Sequence, residues 1–423
     1  MPRLKKKKRP TIVETFVGCG GSHIGFDREG FETVFVNDIW DTALETLKTN
    51  HPDLNEKQII CEDINELCKR DLLKEYNIKE NELDVLIGGV VCKGFSLAGV
   101  RNPYDLRNYL YISQLKLVEQ LRPKISIIEN VPGMKNMKIL CRNNYAPSSE
   151  KLNFTISDSI EDICSEINTV IENHKKNRGS IIAVNKKISE KETPELTETK
   201  DKLLEEKKTL EEKRKELEAI LSKYTYSVIE DIEEKYRELG YKVCMEKLKV
   251  SNYGGYTNRI RLIIVAVRND IEKEWVWPTI THDDNNEIIP NLLTVKDAFE
   301  LMDDSNDPNI DLDNKPMNHK ASTIEKFKKI TCNSKSSGFS SRGTSKRLDF
   351  DKPAPTLVPG HSSFQIHPSE HRSISVREGA TISGFPIDYK FKGSHTDRCM
   401  QIGNAIPVQL GQILAQSARE LLK

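Results

Sequence analysis

The chain has 423 residues, of which 37 % are hydrophobic, and it is long enough for two domains or for one domain with insertions. Its 64 basic and 64 acidic residues balance, so net charge selects neither an acidic nor a basic partner. No stretch approaches the ~18 consecutive apolar residues of a membrane span, and the start MPRLKKKKRP lacks the apolar segment of a secretory signal. We therefore expect a cytoplasmic protein without a membrane partner. The nine cysteines include no C-x-x-C pair, which predicts neither a disulfide framework nor a metal site.

The chain begins with strand-like and helix-like segments in alternation. The β-branched run TIVETF turns on three glycines and leads into a helix-like segment, and TVFVND follows as a second strand. LDVLIGGVV and KISIIEN are strand-like, YLYISQLKLVEQL between them is helical, and RLIIVAV adds a later strand. This alternation predicts an α/β fold with a doubly wound, Rossmann-like parallel sheet covered on both faces.

Two amphipathic helical segments interrupt the alternation. Within 158–175, one helix face carries the apolar residues at 160, 163, 167, 170 and 171. The charged segment 199–224 repeats an apolar or aromatic residue every seven positions, at 203, 210, 217 and 224. The pattern predicts an antiparallel helical hairpin inserted at about 136–225. A partner-binding role and simple packing of the hairpin on itself both fit, and the second is the more common.

The glycine-rich turn at Gly18, Gly20 and Gly21 would let a cofactor approach the backbone at the start of a helix. Asp38 lies about 20 residues further on, at the end of the next strand, where a carboxylate can accept hydrogen bonds from ribose hydroxyls. Asp63 is similarly suited to receive the exocyclic amine of an adenine. Each carboxylate taken alone is more often a helix cap or a turn residue.

Cys92 follows the strand VLIGGVV, and the carboxyl ends of such strands form the ligand crevice of a doubly wound sheet. A buried structural cysteine is the default interpretation. Against it, Lys93 is placed to stabilise a thiolate, and the glycine-bounded context would expose the sulfur. The next strand ends in ENVPG and brings Glu129 to the same crevice. A thiol beside a carboxyl group suits covalent attack on an electron-poor ring.

Ten short motifs stand in one order along the chain: FVGCGG, NDIW, EDI, GGVVCKGFSLAG, RNYLY, ENVPG, YGGYTNRIRLIIVAVR, DKPAPTL, HPSEHRSISVREGATISGFP and QIGNAIP. In this order they resemble the DNA (cytosine-5) methyltransferases of bacterial restriction-modification systems. The resemblance spans nearly the whole chain outside the helical insertion. It implies a Rossmann-like methyltransferase domain with a smaller target-recognition domain.

The resemblance implies S-adenosyl-L-methionine as methyl donor and double-stranded DNA as substrate. Cys92 would attack carbon-6 of a flipped-out cytosine, since a stacked ring is closed to attack from above or below. Glu129 would hydrogen-bond ring nitrogen-3 and the exocyclic amine, Arg261 would hold the base carbonyl oxygen, and Arg259 a nearby phosphate. The expected cofactor-binding residues are Phe16, Gly18, Gly20, Gly21, Asp38, Ile39, Asp63, Ile64, Leu110, Asn404 and Ala405.

The family that the chain resembles keeps its target-reading domain between the arginine motif and the closing QIGNAIP motif. We therefore expect the recognition surface between about 290 and 366, with the loop SSGFSSRGTSKR entering the major groove. From Lys315 to Arg347 nine basic residues stand against one acidic residue, Glu325, and the loop SSGFSSRGTSKR is rich in serine and glycine. Arg342 is the expected base contact and Lys328 and Lys329 the expected phosphate contacts. The full set of expected DNA-binding residues is Lys93, Ser96, Lys328, Lys329, Arg342 and Lys346.

The expected organisation is a basic tail at 1–9, a catalytic domain at 10–280 carrying the insertion at 136–225, a target-recognition domain at 281–390 and a closing segment at 391–423. We expect a monomer, because methylating both strands of a palindrome in turn requires no more. A restriction endonuclease encoded separately would be its functional partner, with no stable complex between them.

The chain departs from the family pattern at a few positions. Val90 and Val91 replace two prolines and Lys93 replaces a glutamine, and the sequence at 255–257 is Gly-Tyr-Thr in place of Val-Pro-Gln. Ile39 stands where an aromatic residue is usual. A catalytically weakened DNA-binding protein of the same fold is therefore one alternative. A tRNA cytosine methyltransferase is another, although Lys-Gly-Phe-Ser follows the cysteine where those relatives have Phe-Thr.

Overall fold

The computed structural model describes residues 9–90, 106–140, 158–332, 346–357 and 364–423. The predictions made for Cys92, Lys93, Ser96 and Arg342 lie outside these ranges. The strands are β1 (Thr11–Thr15), β2 (Glu32–Asp38), β3 (Ile59–Cys61), β4 (Val85–Gly88), β5 (Ile125–Asn130), β6 (Lys138–Leu140), β7 (Thr225–Ser227), β8 (Tyr241–Lys249) and β9 (Ile260–Arg268). The helices are α1 (Gly21–Arg28), α2 (Asp41–Asn50), α3 (Ile64–Leu67), α4 (Leu72–Glu75), α5 (Leu110–Leu121), α6 (Asp158–Glu190), α7 (Pro194–Leu221), α8 (Val228–Glu238), α9 (Val295–Phe299), α10 (Ala321–Lys328), α11 (Val376–Ile382), α12 (His395–Asn404) and α13 (Val408–Leu421).

Seven strands form one sheet in the order β3-β2-β1-β4-β5-β9-β8. The first five are parallel, which confirms the predicted parallel sheet for this part of the chain. The strand RLIIVAV is different, because β9 runs antiparallel to both β5 and β8. Only the segment 250–259 joins β8 to β9, and a connection of that length produces a hairpin, whereas parallel neighbours need a crossover of a dozen or more residues.

The central strands of the sheet consist mostly of apolar residues, as expected for a sheet that is covered on both faces. Every residue of β4 and β5 is buried, as expected for strands that have no solvent-facing side. One face packs on α1 and α13, in a core that includes Ile12, Val85, Ile127, Val265, Phe26, Leu410 and Leu414.

Helices α1 and α13 touch backbone to backbone. A Cβ atom at Gly25 would lie 2.3 Å from the Gln412 nitrogen, and one at Gly21 would lie 2.1 Å from the Ile406 carbonyl oxygen. Glycine is therefore the residue that permits this approach. The contact joins the closing QIGNAIP motif to the first helix of the chain.

The described residues divide into two compact units, one of them made of 9–90, Arg107–Lys135 and Tyr236–Lys423, and the other of Asn136–Lys235. In the second unit, α6 and α7 pack antiparallel: the Asn177 amide donates to the Leu203 carbonyl at 3.0 Å, and Lys213 pairs with Glu166 at 2.6 Å. The predicted helical hairpin is thereby confirmed. Strands β6 and β7 pair at its base, so the two ends of this segment lie side by side. None of the helices in the described ranges is both long and apolar enough to cross a membrane.

Candidate active site

The carboxyl edge of the sheet gathers the residues that the sequence singled out. In the parallel register, Thr15 of β1 lies beside Asn37 of β2 and Gly88 of β4. The segments that follow these strands therefore emerge side by side. Because β9 is reversed, its first residues reach the same edge, where Asn130 pairs with Leu262.

The glycine-rich turn after β1 is an unusual stretch of backbone. Phe16, Gly18 and Gly20 all have positive φ, at 52°, 55° and 91°. Two hydrogen bonds from the turn reach the end of β2: the Val17 N–H donates to the Asn37 carbonyl at 3.1 Å, and the Gly18 N–H donates to Asp38 Oδ2 at 2.8 Å. A Cβ atom at Gly18 would meet nothing within 4 Å, so space for a ligand lies directly against this backbone.

Asp38 is held in place by backbone N–H groups from two segments, the glycine turn and its own chain after β2. Its second oxygen, Oδ1, accepts from the Trp40 N–H at 2.9 Å. Burial raises the pKa of Asp38 above its ordinary value, and the N–H donors of Trp40 and Gly18 oppose that rise. The carboxylate is thus fixed in orientation, and its remaining lone pairs can accept from a ligand hydroxyl.

Ile39, Asp63 and Ile64 follow the ends of β2 and β3 at the same edge of the sheet. Ile39 is 67 % exposed, so its apolar side chain is accessible to a ligand. Asp63 caps α3, accepting from the Asn65 N–H at 2.7 Å, so its structural interpretation as a helix cap is confirmed. Ser113 of α5 donates to the Asn65 side chain at 2.6 Å, and this bond ties the helix that begins at Leu110 to α3.

These features fit the nucleoside part of a cofactor. Open space at Gly18, a fixed carboxylate at Asp38 and an exposed apolar side chain at Ile39 supply a backbone cradle, a hydroxyl acceptor and a surface for a flat base. Asp63 lies one strand further along the same edge, after β3.

Glu129 and Arg261 meet on the other half of the edge. Their side chains form an ion pair, with Nε of Arg261 2.6 Å from Oε1 of Glu129, and are only 11 % and 10 % exposed. A Cβ atom at Gly89 would lie 3.7 Å from Oε2 of the same carboxylate. The chain that leads from β4 towards Cys92 therefore passes directly beside Glu129.

Asn130 fixes the backbone that directly follows β4. Its amide donates to the Val90 carbonyl at 3.2 Å, and its side-chain oxygen accepts from the Val131 N–H at 2.8 Å. Val90 itself is buried. The valine that replaces a proline here is thus held in place by a side chain from β5.

Arg259 and the closing motif meet beside the same edge. Arg259 is buried, and its Nη1 donates to the Gly403 carbonyl at 2.8 Å. Ala405 comes within 3.3 Å of the position that a Cβ at Gly21 would take, whereas Asn404 is exposed. The structure therefore brings the arginine motif, the closing motif and the glycine turn together, as the order of motifs implied.

The expected DNA contacts on the basic stretch are solvent-exposed where the structure describes them. Lys328, Lys329 and Lys346 are exposed, and Lys328 pairs with Glu325 at 2.6 Å. Arg347, which contributed to the basic excess, has a structural role instead, because its guanidinium donates to backbone carbonyls of the same region. The acceptors are Phe327, Ile330, His367 and Glu370.

Several residues at the site were not identified from the sequence. Glu14 lies on β1 with 1 % exposure and contacts Ser22 and His23, and Tyr389 donates to the Cys19 carbonyl at 2.6 Å. An acidic residue within the apolar run TIVET was a usable signal for Glu14. Nothing in the sequence near Tyr389 pointed to a turn 370 residues away.

The model of the C-5 cytosine-specific DNA methylase family matches residues 10–220 and 216–420. The chain belongs to this family. Among curated relatives, this DNA methylase is 25 % identical over 421 residues to the Type II methyltransferase M.DdeI of Desulfomicrobium norvegicum, covering 96 % of the chain and 87 % of that protein. It is also 25 % identical over 435 residues to M.Eco47II of Escherichia coli, covering 97 % and 79 %.

Solved structures confirm the fold of this DNA methylase. A prophage-encoded candidate DNA modification methyltransferase of E. coli superposes with a TM-score of 0.58 at 20 % identity, over 98 % of this chain and 99 % of that one. The Dnmt2 methyltransferase of S. pombe superposes with a TM-score of 0.54 at 15 % identity, over 98 % and 100 %. Family membership makes the chain a DNA methyltransferase with the predicted doubly wound α/β fold.

Proposed function

We propose that this DNA methyltransferase transfers a methyl group from S-adenosyl-L-methionine to carbon-5 of cytosine within a specific double-stranded DNA sequence. The observation that carries the proposal is the buried Glu129–Arg261 ion pair beside Gly89, which stands three positions before Cys92 in the sequence. Relatives named Type II methyltransferases, similar over nearly the whole chain, support a role as the methylating partner of a separately encoded restriction endonuclease.

The glycine turn and the neighbouring carboxylates would hold the cofactor. Asp38 would accept from ribose hydroxyls, Asp63 from the adenine amine, and Ile39 would lie against the adenine ring. Phe16, Gly18, Gly20 and Gly21 would line the backbone side, with Ile64, Leu110, Asn404 and Ala405 completing the site. When bound, S-adenosyl-L-methionine supplies an activated methyl group.

The remaining chemistry belongs to the chain's own residues. Cys92 adds through its sulfur to carbon-6 of the flipped-out cytosine, which makes carbon-5 nucleophilic enough to take the methyl group. Glu129, when it carries a proton, donates to ring nitrogen-3 and accepts from the amine, and Arg261 donates to the carbonyl oxygen. Loss of the carbon-5 proton to water and expulsion of the sulfur as thiolate then restore the ring and the free enzyme.

The departures from the family pattern are compatible with this activity. The segment 255–257 is well anchored, because the Tyr256 carbonyl accepts from the Ala354 N–H at 2.8 Å and Thr257 is buried. Val90 is held by Asn130. These contacts support an ordered base pocket and weigh against a protein that has kept only the fold.

The assignments of DNA contacts and of domains are part of the proposal. Arg342 would read a guanine, and Lys328, Lys329, Lys346, Lys93 and Ser96 would contact DNA around it. Arg342→Ala should then relax site preference, while Lys328→Ala should weaken binding to all sequences alike. Residues 281–390 would form the target-recognition domain of a monomeric enzyme.

The segment 136–225 would be an insertion that the sheet does not need. The pairing of β6 with β7 supports this, since it closes the ends of the segment on each other. Deletion of 140–222 with a short Gly/Ser linker should therefore leave a soluble enzyme with methyltransferase activity. Insoluble protein after this deletion would contradict the assignment.

The test is methyl transfer by the purified full-length chain from labelled S-adenosyl-L-methionine to duplex DNA and to tRNA, followed by bisulfite sequencing of genomic DNA from cells that express it. We expect methylated cytosines at one short sequence in DNA and none in tRNA. Labelled tRNA would support the tRNA methyltransferase instead. An unlabelled duplex together with retained DNA binding would support the weakened binding protein.

A further inference from the structure

A buried polar network lies beneath the glycine turn and is not accounted for by any of the roles assigned above. It consists of Glu14, Ser22, His23, His51 and Tyr389, each at most 9 % exposed. Burying so many polar groups costs stability unless each has a purpose or a partner. These side chains contact and support the glycine turn and the start of α1.

The turn needs external support because its backbone is strained. Phe16 has positive φ without being glycine, a conformation that side chains disfavour and that persists where the surroundings over-determine it. The Val17 and Gly18 N–H groups are fixed from β2. The peptide between Cys19 and Gly20 is fixed from a different element, because the Tyr389 hydroxyl donates to the Cys19 carbonyl at 2.6 Å.

Tyr389 also sets the position of Gly20. A Cβ atom at Gly20 would lie 3.0 Å from the Tyr389 hydroxyl and 3.0 Å from Leu47 Cδ1, so the turn is clamped between this tyrosine and α2. The ring of Tyr389 packs in turn against His51, with centroids 6.1 Å apart.

Glu14 and its partners hold the start of α1 on the other side. The Ser22 hydroxyl donates to Glu14 Oε2 at 2.8 Å, and His23 Nδ1 lies 2.6 Å from Oε1. Burial acts to lower the pKa of His23, but the Glu14 carboxylate, together with Asp27 and Asp53, raises the pKa of His23 above its ordinary value. The rings of His51 and His23 pack edge to face, with centroids 4.4 Å apart.

We propose that Tyr389 is a positioning residue for the cofactor turn, with the Glu14–Ser22–His23 cluster as its counterpart at the start of α1. Tyr389 contacts the Cys19 carbonyl within the turn, between residues expected to line the cofactor site. The inference rests on the proposed use of S-adenosyl-L-methionine. It predicts that the segment following α11 controls cofactor affinity through one hydroxyl group.

The test compares Tyr389→Phe with Tyr236→Phe in the full-length protein. Tyr236 is a matched control because it too is fully buried. Its hydroxyl forms a hydrogen bond of 2.8 Å with the Ser126 hydroxyl on β5. Each substitution removes one buried hydroxyl and should lower Tm by a similar amount. Calorimetric titration with S-adenosyl-L-methionine then separates positioning from stability.

Tyr389→Phe should raise the Kd for S-adenosyl-L-methionine roughly tenfold, the usual consequence of losing one well-placed hydrogen bond, while Tyr236→Phe leaves it unchanged. In kinetics, Tyr389→Phe should raise the cofactor KM and leave the DNA KM and the kcat at saturating cofactor near wild type. Ser22→Ala, a milder change on the other side of the turn, should raise the Kd by a smaller factor.

Equal Kd values for wild type and Tyr389→Phe would overturn the positioning role, as would equal increases in the two tyrosine variants. Absence of S-adenosyl-L-methionine binding by the wild-type protein would overturn the proposed cofactor, and this inference with it. The two failures are therefore distinguishable in one set of titrations.

Discussion

Ion pairs of the same length occur in two very different places in this molecule. In the helical hairpin, Lys213 and Glu166 lie 2.6 Å apart with side chains 49 % and 46 % exposed. At the sheet edge, Arg261 and Glu129 also lie 2.6 Å apart, but with 11 % and 10 % exposure. The distance is the same in both pairs, so the difference in solvation determines how much each pair contributes to stability.

Water screens the hairpin pair and solvates each partner when the other is absent, so such pairs contribute about 0–1 kcal/mol. At the sheet edge, removal of one partner leaves a charge buried, which costs about 3–5 kcal/mol in comparable cases. In the proposed function both groups of the buried pair contact the cytosine ring. The same separation therefore has a small energetic consequence in the exposed hairpin pair and a large one in the buried pair at the sheet edge.

Substitution at the sheet edge should have the largest effect. Glu129→Gln keeps the shape but removes the carboxyl group that would supply a proton at ring nitrogen-3, and turnover should fall by about 10²–10⁴-fold while cofactor affinity changes little. Steady-state kinetics and calorimetry on the same preparation measure both. Glu119→Gln on the exposed face of α5 is the control and should retain full turnover. A Glu129→Gln enzyme within a few fold of wild type would remove the carboxyl group from the mechanism.

Asp38→Ala should act on binding instead of turnover. Loss of a charged acceptor for the ribose hydroxyls should raise the Kd of S-adenosyl-L-methionine by at least about tenfold. Asp41→Ala, at an exposed position just inside α2, is the control. If both variants bind the cofactor as wild type does, Asp38 has only the structural role of anchoring Gly18 and Trp40.

A buried histidine and a more exposed one should also differ in how they make stability depend on pH. Burial, and secondly the charge of His23, lower the pKa of His51 from 6.5 to about 4. Between pH 6.5 and about 4, His51 is protonated in the unfolded chain but not in the folded chain. The free energy of unfolding therefore decreases as pH falls through this range. The loss should amount to about 1–3 kcal/mol.

His51→Gln should therefore flatten the decline in the free energy of unfolding between pH 7 and pH 4.5, measured by urea denaturation. His174→Gln is the hairpin control, because that half-exposed imidazole pairs with Glu211 at 3.3 Å on the solvated face. The decline should be unchanged in His174→Gln. Equal slopes in wild type and His51→Gln would show that the buried ring does not govern acid stability.

The smallest effect should come from the hairpin ion pair. A double-mutant cycle with Lys213→Ala and Glu166→Ala should give a coupling free energy below about 1 kcal/mol, decreasing further in high salt. A coupling of several kcal/mol would show that the hairpin, too, depends on its charged residues for stability.

Sequence alone predicted the features that depend on neighbouring residues better than those that depend on residues far apart in the chain. Strands such as VLIG and helices such as YLYISQLKLVEQL were predictable because their pattern lies within the element itself. The Glu129–Arg261 contact was predictable only through the order of motifs. The reversal of β9 depends on the length of the connection from β8, and apolar composition does not report direction.

The long-range partners could not be predicted. Arg347 counted as a basic surface residue, but its carbonyl partners come from segments up to 23 residues away. Tyr389 and Cys19 are separated by 370 positions, and their hydrogen bond exists only because α11 and the glycine turn pack together. Charge and periodicity carry no information about such pairs.

The central claim is covalent attack by Cys92, and the most direct measurement is trapping on DNA. Duplex DNA containing the methylated sequence, with 5-fluorocytosine at the target, should form a complex with the wild-type protein and S-adenosyl-L-methionine that survives denaturing electrophoresis, because fluorine cannot leave as the carbon-5 proton does. Cys92→Ser should bind the same DNA without forming the complex. An adduct of equal yield in Cys92→Ser, or none with a wild-type enzyme that methylates ordinary cytosine in the same sequence, would contradict the account.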